Sequence, residues 1–201
     1  QAFVHNGSYF VGAFSGDEIL GATFGFIGIN GGTHLHSHMS AVVPNNRDLG
    51  IGALMKHHQF NWALERKIPF ISWTFDPLVK RNARFNISKL GVEISDYFQD
   101  FYGPMTDLVN AGDASDRLMV KWLVSSSGPQ SSNDFSEIPK GAINIAIPLD
   151  IVALRAQSAQ EAMAERLRVR EEFLTAFDSG YKVIGFSNAH GYILSKDESG
   201  K

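Results

Sequence analysis

Val43-Pro44-Asn45-Asn46-Arg47-Asp48-Leu49-Gly50-Ile51-Gly52-Ala53-Leu54 is the stretch on which the reading of this chain turns. It sets Arg-x-x-Gly-x-Gly between a strand-like segment, ended by Pro44, and a run with apolar residues at helical spacing. A strand-to-helix turn of this kind points several backbone N–H groups at one place, at the positive end of a helix dipole. Such a place suits a pyrophosphate. Gly50 and Gly52 let the backbone come close to a ligand, and Arg47 adds a charge-assisted contact. The plainer alternative is a glycine-containing turn that binds nothing. The strand before it and the helix after it favour a nucleotide-like ligand.

Upstream, residues 8–15 and 18–29 alternate in polarity around Gly16-Asp17 and read as a hairpin. Asn30-Gly31-Gly32 is a second turn, and 34–43 a third strand, which completes an antiparallel meander. Downstream, a helix over about 49–67 carries Ile51, Leu54, Met55, His58 and Trp62 as an apolar stripe. A compact strand at 70–76 is stopped by Asp76-Pro77. A short helix over about 79–89 ends at Leu90-Gly91, with further strands near 92–99 and 117–124. Residues 125–141 are rich in Ser, Gly and Pro and read as a flexible connection. After it come a strand at 142–147, a long helix within 150–178 with Met163, Leu167, Leu174 and Phe177 on one face, and a hairpin over 181–187 and 191–195.

Bulk composition narrows the classes. A 201-residue chain with 44% hydrophobic and 19% charged residues has material for a real core. A net charge of −3 gives no basic footprint for nucleic acid. The absence of cysteine excludes disulfides, thiolate nucleophiles and cysteine-based zinc sites, and agrees with a cytoplasmic setting. No apolar run approaches the ~20 residues of a membrane span, so no membrane partner is expected.

A second cluster follows the turn: Asp76-Pro77-Leu78, then Asn82-Ala83-Arg84-Phe85-Asn86, then Lys89-Leu90-Gly91-Val92. With it, the chain over about residues 8–124 resembles the GNAT superfamily of acyl-CoA-dependent acyltransferases. The likeness covers the order of elements, the Arg47-x-x-Gly50-x-Gly52 signature and the Asn…Lys-Leu-Gly ending of the next helix. The wording Leu35-His36-Ser37-His38-Met39, Trp73-Thr74-Phe75-Asp76-Pro77-Leu78 and Arg81-Asn82-Ala83 resembles a group of predicted acetyltransferases within it. The resemblance implies a mixed α/β (α+β) fold, with a mostly antiparallel, splayed sheet flanked by helices. It implies acetyl-CoA, or another acyl-CoA, as co-substrate, held by the backbone of Asn46, Arg47, Asp48, Leu49, Gly50, Ile51 and Gly52. The strand end Ala41, Val42, Val43 would pair with the pantetheine arm and polarise the thioester carbonyl. Asn82 would contact the cofactor where the sheet splays.

Two departures stand out. Many GNAT helices read Asn-x-x-Ala-x-x-x-Tyr-x-Lys-Leu-Gly, and their Tyr protonates the leaving thiolate. Here Ile87 holds that position, and Asn86 is the nearest polar substitute. The usual opening strand and two helices have no counterpart ahead of residue 8. Either residues are missing from the front, or the C-terminal part replaces them.

His34, His36 and His38 alternate, so one strand face would carry all three. An amine near pKa 10.4 is only about 1 part in 10³ neutral at pH 7, a deficit of roughly 4–5 kcal/mol that a positioned base partly recovers. His38 and His36 are candidate bases, and Asp76 is another. The alternatives are a His-x-His metal site, ordinary sheet-face histidines and, for Asp76, simple turn chemistry before Pro77. Trp73 reads as a substrate wall or as core, and Trp122 as core. Arg166 and Arg170 sit among Glu161, Glu165, Glu171 and Glu172 and read as a solvated, self-paired helix face.

The expectation is therefore a GNAT-like core over 1–124, a connection over 125–141, and a C-terminal α/β extension over 142–201. The expected activity is direct acyl transfer to the amine of a small molecule or peptide, with no metal. A homodimer is a further expectation from the resemblance. The rivals are a CoA-binding sensor that does not turn over and a metal hydrolase built on the histidine face.

Overall fold

Alternating apolar residues around two tight turns build the meander β1 (Tyr9–Ser15), β2 (Glu18–Gly28) and β3 (His34–Val42), all antiparallel. The computed structural model describes residues 1–46, 49–103, 114–129 and 134–196. A one-turn helix, α1 (Ala2–His5), precedes the meander. Pro44–Asn46 forms a 3-10 turn after it, and α2 (Ile51–Glu65) leads to β4 (Phe70–Phe75). Next come α3 (Lys80–Ala83), a π-helical turn (Arg84–Lys89), β5 (Glu93–Phe98) and β6 (Arg117–Leu123). The chain ends with β7 (Ile143–Ile145), α4 (Ile151–Gln157), α5 (Ala159–Asp178), β8 (Tyr181–Ser187) and β9 (Gly191–Lys196).

The ladders run in the order β1-β2-β3-β4-β6-β5, with a separate three-stranded sheet β7-β9-β8. This is the expected mixed α/β fold, a large and mostly antiparallel sheet flanked by helices. Two compact units emerge, residues 1–73 with 121–129, and 74–120 with 130–201. The divisions fall inside β4, inside β6 and after Pro129, within the Ser/Gly-rich stretch, of which residues 130–133 lie outside the described set. No helix among the described residues is long and apolar enough to cross a membrane.

In the first unit, α2 buries Met55, Lys56, Gln59, Phe60 and Ala63. The stripe expected from its sequence is displaced, and Leu54 is 63% exposed. The set i, i+1, i+4, i+5, i+8 is also helically spaced, and burying it lets Lys56 Nζ donate to Ser37 Oγ and Gln59 Oε1, although Gln59 Nε2 finds no partner among the described residues. His58 and Trp62 pack on the flank against Tyr9, whose hydroxyl lies 2.9 Å from His58 Nδ1. Trp73, Phe60 and Trp122 fill the core, so Trp73 is a packing residue.

In the second unit, Ser158 breaks the predicted long helix into α4 and α5. Asp150 Oδ1 accepts from the N–H groups of Val152 and Ala153, and Ser158 Oγ from that of Glu161, so each helix has its own N-cap. The buried face of α5 is Ala162, Arg166, Val169, Phe173 and Ala176, one step off the expected Met163, Leu167, Leu174 and Phe177. Phe173 packs on Tyr97 and Tyr192. Gly191 opens β9 at φ +84, and a Cβ there would collide with the Ile145 carbonyl oxygen of β7. Gly191→Ala should lower stability by about 3 kcal/mol through this clash and the left-handed backbone. Chemical denaturation checks this, and a loss under about 1 kcal/mol would contradict it.

Candidate functional site

In the first unit the sheet opens along β3. This strand pairs in parallel with β4 only at Leu35↔Ile71 and His36↔Ser72 among the described residues, yet runs on to Val42. From Ser37 onward its β4-facing edge carries no ladder, while β2 continues on the other side. The Val43 N–H extends the β2 ladder by donating to the Leu20 carbonyl at 2.9 Å. The chain then turns through Pro44–Asn46 toward α2. Gly50 caps α2 at φ +80, a left-handed conformation that glycine adopts without strain. No side chain of a described residue caps the helix, and a Cβ on Gly50 would meet open space. Among the described residues, none places a side-chain acceptor at the first-turn N–H groups. Arg47 and Asp48, both expected to bind the cofactor, lie outside the described residues.

A β-bulge interrupts the same strand. Gly25 pairs with Ser37 and Phe24 with Met39, so His38 is the inserted residue. The insertion keeps the His36 and His38 rings together with Phe24 and Phe26, at centroid separations of 5.2–6.1 Å. Cross-strand pairs set Phe10, Phe24, Phe26, Met39 and His36 on one face. Ser37 sits on the other, where α2 packs.

The three histidines consequently differ. His34 is buried, stacks on Phe70 and donates from Nδ1 to the Gly32 carbonyl at 2.8 Å, so it is a structural residue. His36 is half-buried, with Nδ1 3.2 Å from Ser72 Oγ. Burial, and then the charges of His38, His34 and Lys56, push its pKa down to about 4. His38 is exposed at the bulge. No group of three potential metal-ligating side chains assembles among the described residues.

Beneath the bulge lies Lys56, 7% exposed. Its Nζ donates to Ser37 Oγ at 2.7 Å and to Gln59 Oε1 at 3.2 Å, and stands 3.7 Å from the Trp73 ring centroid. Burial pulls its pKa down to about 7. Sequence reasoning missed this residue. Its only local signal was a lysine at a position that the neighbouring apolar residues compete to bury.

The second unit holds the remaining candidates. Asp76 is engaged by the two terminal nitrogens of the Arg166 guanidinium, at 3.1 and 2.8 Å, and Oδ1 also accepts from the Leu78 N–H. Arg166 is 1% exposed, and Arg170 grips Asp116 through two hydrogen bonds. The expected solvated, self-paired arginine face is thereby corrected. Both side chains reach off the helix to aspartates 90 and 54 residues away, which spacing along the helix cannot show. Burial works against the Asp116 carboxylate, but hydrogen bonds from Arg170, Tyr97 and the Asp100 N–H outweigh it and hold its pKa low. Burial raises the Tyr97 hydroxyl, and its bond to Asp116 adds to this. Asn82 is exposed on α3, whereas Asn86 is 4% exposed in the π-helical turn beside buried Ile87.

Neither a scan of known protein families nor a comparison with curated proteins finds a match. Solved structures do match. A GNAT family acetyltransferase from Elizabethkingia anophelis with acetyl-CoA bound aligns at TM-score 0.50 and 15% identity, covering 58% of this chain and 76% of that one. A Bacillus subtilis acetyltransferase in complex with CoA aligns at TM-score 0.50 and 13% identity, covering 62% and 81%.

Proposed function

We propose that this chain, which has the fold of the GNAT N-acetyltransferases, transfers an acyl group from acyl-CoA to an amine. The observation that carries the reading is the open edge of β3 after His36, leading into the uncapped N-terminus of α2 at Gly50. An extended pantetheine arm fits a strand edge that lacks a neighbour. A pyrophosphate fits backbone N–H groups that lack acceptors. The backbone of Ala41, Val42 and Val43 would meet the arm, and that of Asn46 to Gly52, with Arg47, the pyrophosphate. The two solved structures named above bear acetyl-CoA and CoA, which agrees with the assignment.

Within this reading His38 is the base. It is exposed and lies at the bulge, where the irregular backbone supports an oxyanion role for a local N–H. His36 is a poorer choice, because a pKa near 4 makes it too weak a base to draw a proton from an amine at neutral pH. Asp76 is a poorer one too, since Arg166 and the Leu78 N–H occupy its oxygens. Asn86 as proton donor is disfavoured by its burial. His38 would accept the amine proton, the amine nitrogen would bond to the thioester carbon, and the C–S bond would break. Water would return a proton to the thiolate.

Titration calorimetry should show CoA binding. Gly50→Val should weaken it at least about tenfold, through left-handed strain and intrusion on the phosphate site. His38→Ala should lower kcat by about 10²–10³ with CoA affinity unchanged. No CoA binding by wild-type protein would refute the proposal. A second reading, CoA binding without turnover, is favoured by Ile87, buried where related helices carry tyrosine. Binding without thiol release across a broad amine panel would select it.

A further inference from the structure

We infer that Lys56, acting through Ser37 and Gln59, anchors the β3 bulge from beneath and is a positioning residue for the proposed transfer. The functional half of this inference rests on the acyl-transfer reading; the anchoring half does not.

A buried lysine loses its hydration and needs a reason to be retained. Here no carboxylate pairs with it among the described residues. It meets Ser37 Oγ, Gln59 Oε1 and the Trp73 ring instead, three acceptors for the three N–H donors of an ammonium. A methionine would fill similar space without the desolvation penalty, so packing alone does not account for it.

The contacts converge on the bulge. Ser37 immediately precedes the inserted His38 and is the last residue paired with Gly25 before the register shifts. Gln59, which Lys56 orients, lies directly under Gly25. A Cβ built there would stand 3.5 Å from Gln59 Nε2 and 2.9 Å from the His36 carbonyl oxygen. Lys56 thus holds the strand residue beside the insertion and the amide side chain under the opposing one.

The bulge needs such an anchor. An inserted residue breaks the β2 ladder, and a slip by one position would turn His38 and Met39 to the opposite faces. On the other side β4 gives no support beyond His36↔Ser72. Thr23 Oγ1 of β2 ties down the Met39 carbonyl at 3.1 Å after the insertion, and on the Ser37 side the support comes from α2, whose polar part Lys56 supplies.

The test is hydrogen exchange followed by mass spectrometry on wild type, Lys56→Met and Ser37→Ala. Peptides covering 35–42 should exchange about tenfold faster in both variants, while peptides covering 181–187 stay within about twofold of wild type. Unchanged exchange over 35–42, or equal acceleration everywhere, overturns the anchoring role. Should Lys56→Met fail to fold, Ser37→Ala decides alone, because it removes only the acceptor. In the transfer assay both variants should keep CoA affinity within about twofold and lose about tenfold or more in kcat. Wild-type kcat in both overturns the functional half. A wild-type protein that does not bind CoA sinks the acyl-transfer reading instead, and exchange still decides the anchor.

Discussion

Arg166→Met should destabilise the protein by about 3–5 kcal/mol, the range for stripping one partner from a buried ion pair. The Asp76 side chain is only 14% exposed, and Arg166 contacts both its oxygens. Without the guanidinium, the largely buried Asp76 carboxylate is left with the Leu78 N–H. The double variant Arg166→Met with Asp76→Leu should recover much of the loss, since removing both charges relieves the desolvation that the pair endures. Urea denaturation of wild type and the two variants checks this. A single-variant loss below about 1 kcal/mol would show that the pair is incidental. The same experiment bears on Asp76 as a base. An aspartate needed mainly to receive Arg166 leaves CoA affinity and kcat unaffected in a folded double variant.

Stability should rise with pH on account of Lys56. Its pKa is about 7 in the folded protein against an ordinary 10.5. Below pH 7 both folded and unfolded chains hold the proton, and the cost of burying the ammonium is fully present. Between pH 7 and 10.5 the unfolded chain keeps the proton and the folded one releases it. The contribution therefore grows by about 1.4 kcal/mol per pH unit, to roughly 5 kcal/mol. His36, the titratable group whose charge couples to Lys56, acts in a lower window. Its contribution grows from about pH 4 to 6.5 and is complete above that. Comparing wild type with Lys56→Met at each pH cancels every group but Lys56. The stability gap should shift in favour of wild type by about 2–3 kcal/mol between pH 7 and 9. A gap that stays flat over this range would show that the buried amine does not titrate there.

Much of the architecture was legible in local pattern. Alternation around Gly16-Asp17 and Asn30-Gly31-Gly32 located β1 to β3, and β4 and the start of α2 fell within a residue or two of their places. Periodicity reports what a segment repeats, which is why it found the helices. It does not report which of two overlapping stripes turns inward, which is why it misjudged the faces of α2 and α5. A single residue, Ser158, split the last long helix by capping a new one.

By itself, the sequence determined the order of elements and the glycine turn ending at Gly50, because turn chemistry and hydrophobic period are local properties of the chain. Tertiary structure alone decided which polar side chains became interior. Lys56 and Arg166 are charged residues on helices, and the residues within a helical turn of either do not decide their burial. Their partners, Ser37 on β3 and Asp76 just past the end of β4, lie 19 and 90 residues away. The histidine row was settled in the same way. The residues promise one face of three alike, but the bulge at His38, the stacking of His34 on Phe70 and the desolvation of His36 leave three different groups. Burial and long-range pairing set their energies, and both exist only once the chain has folded.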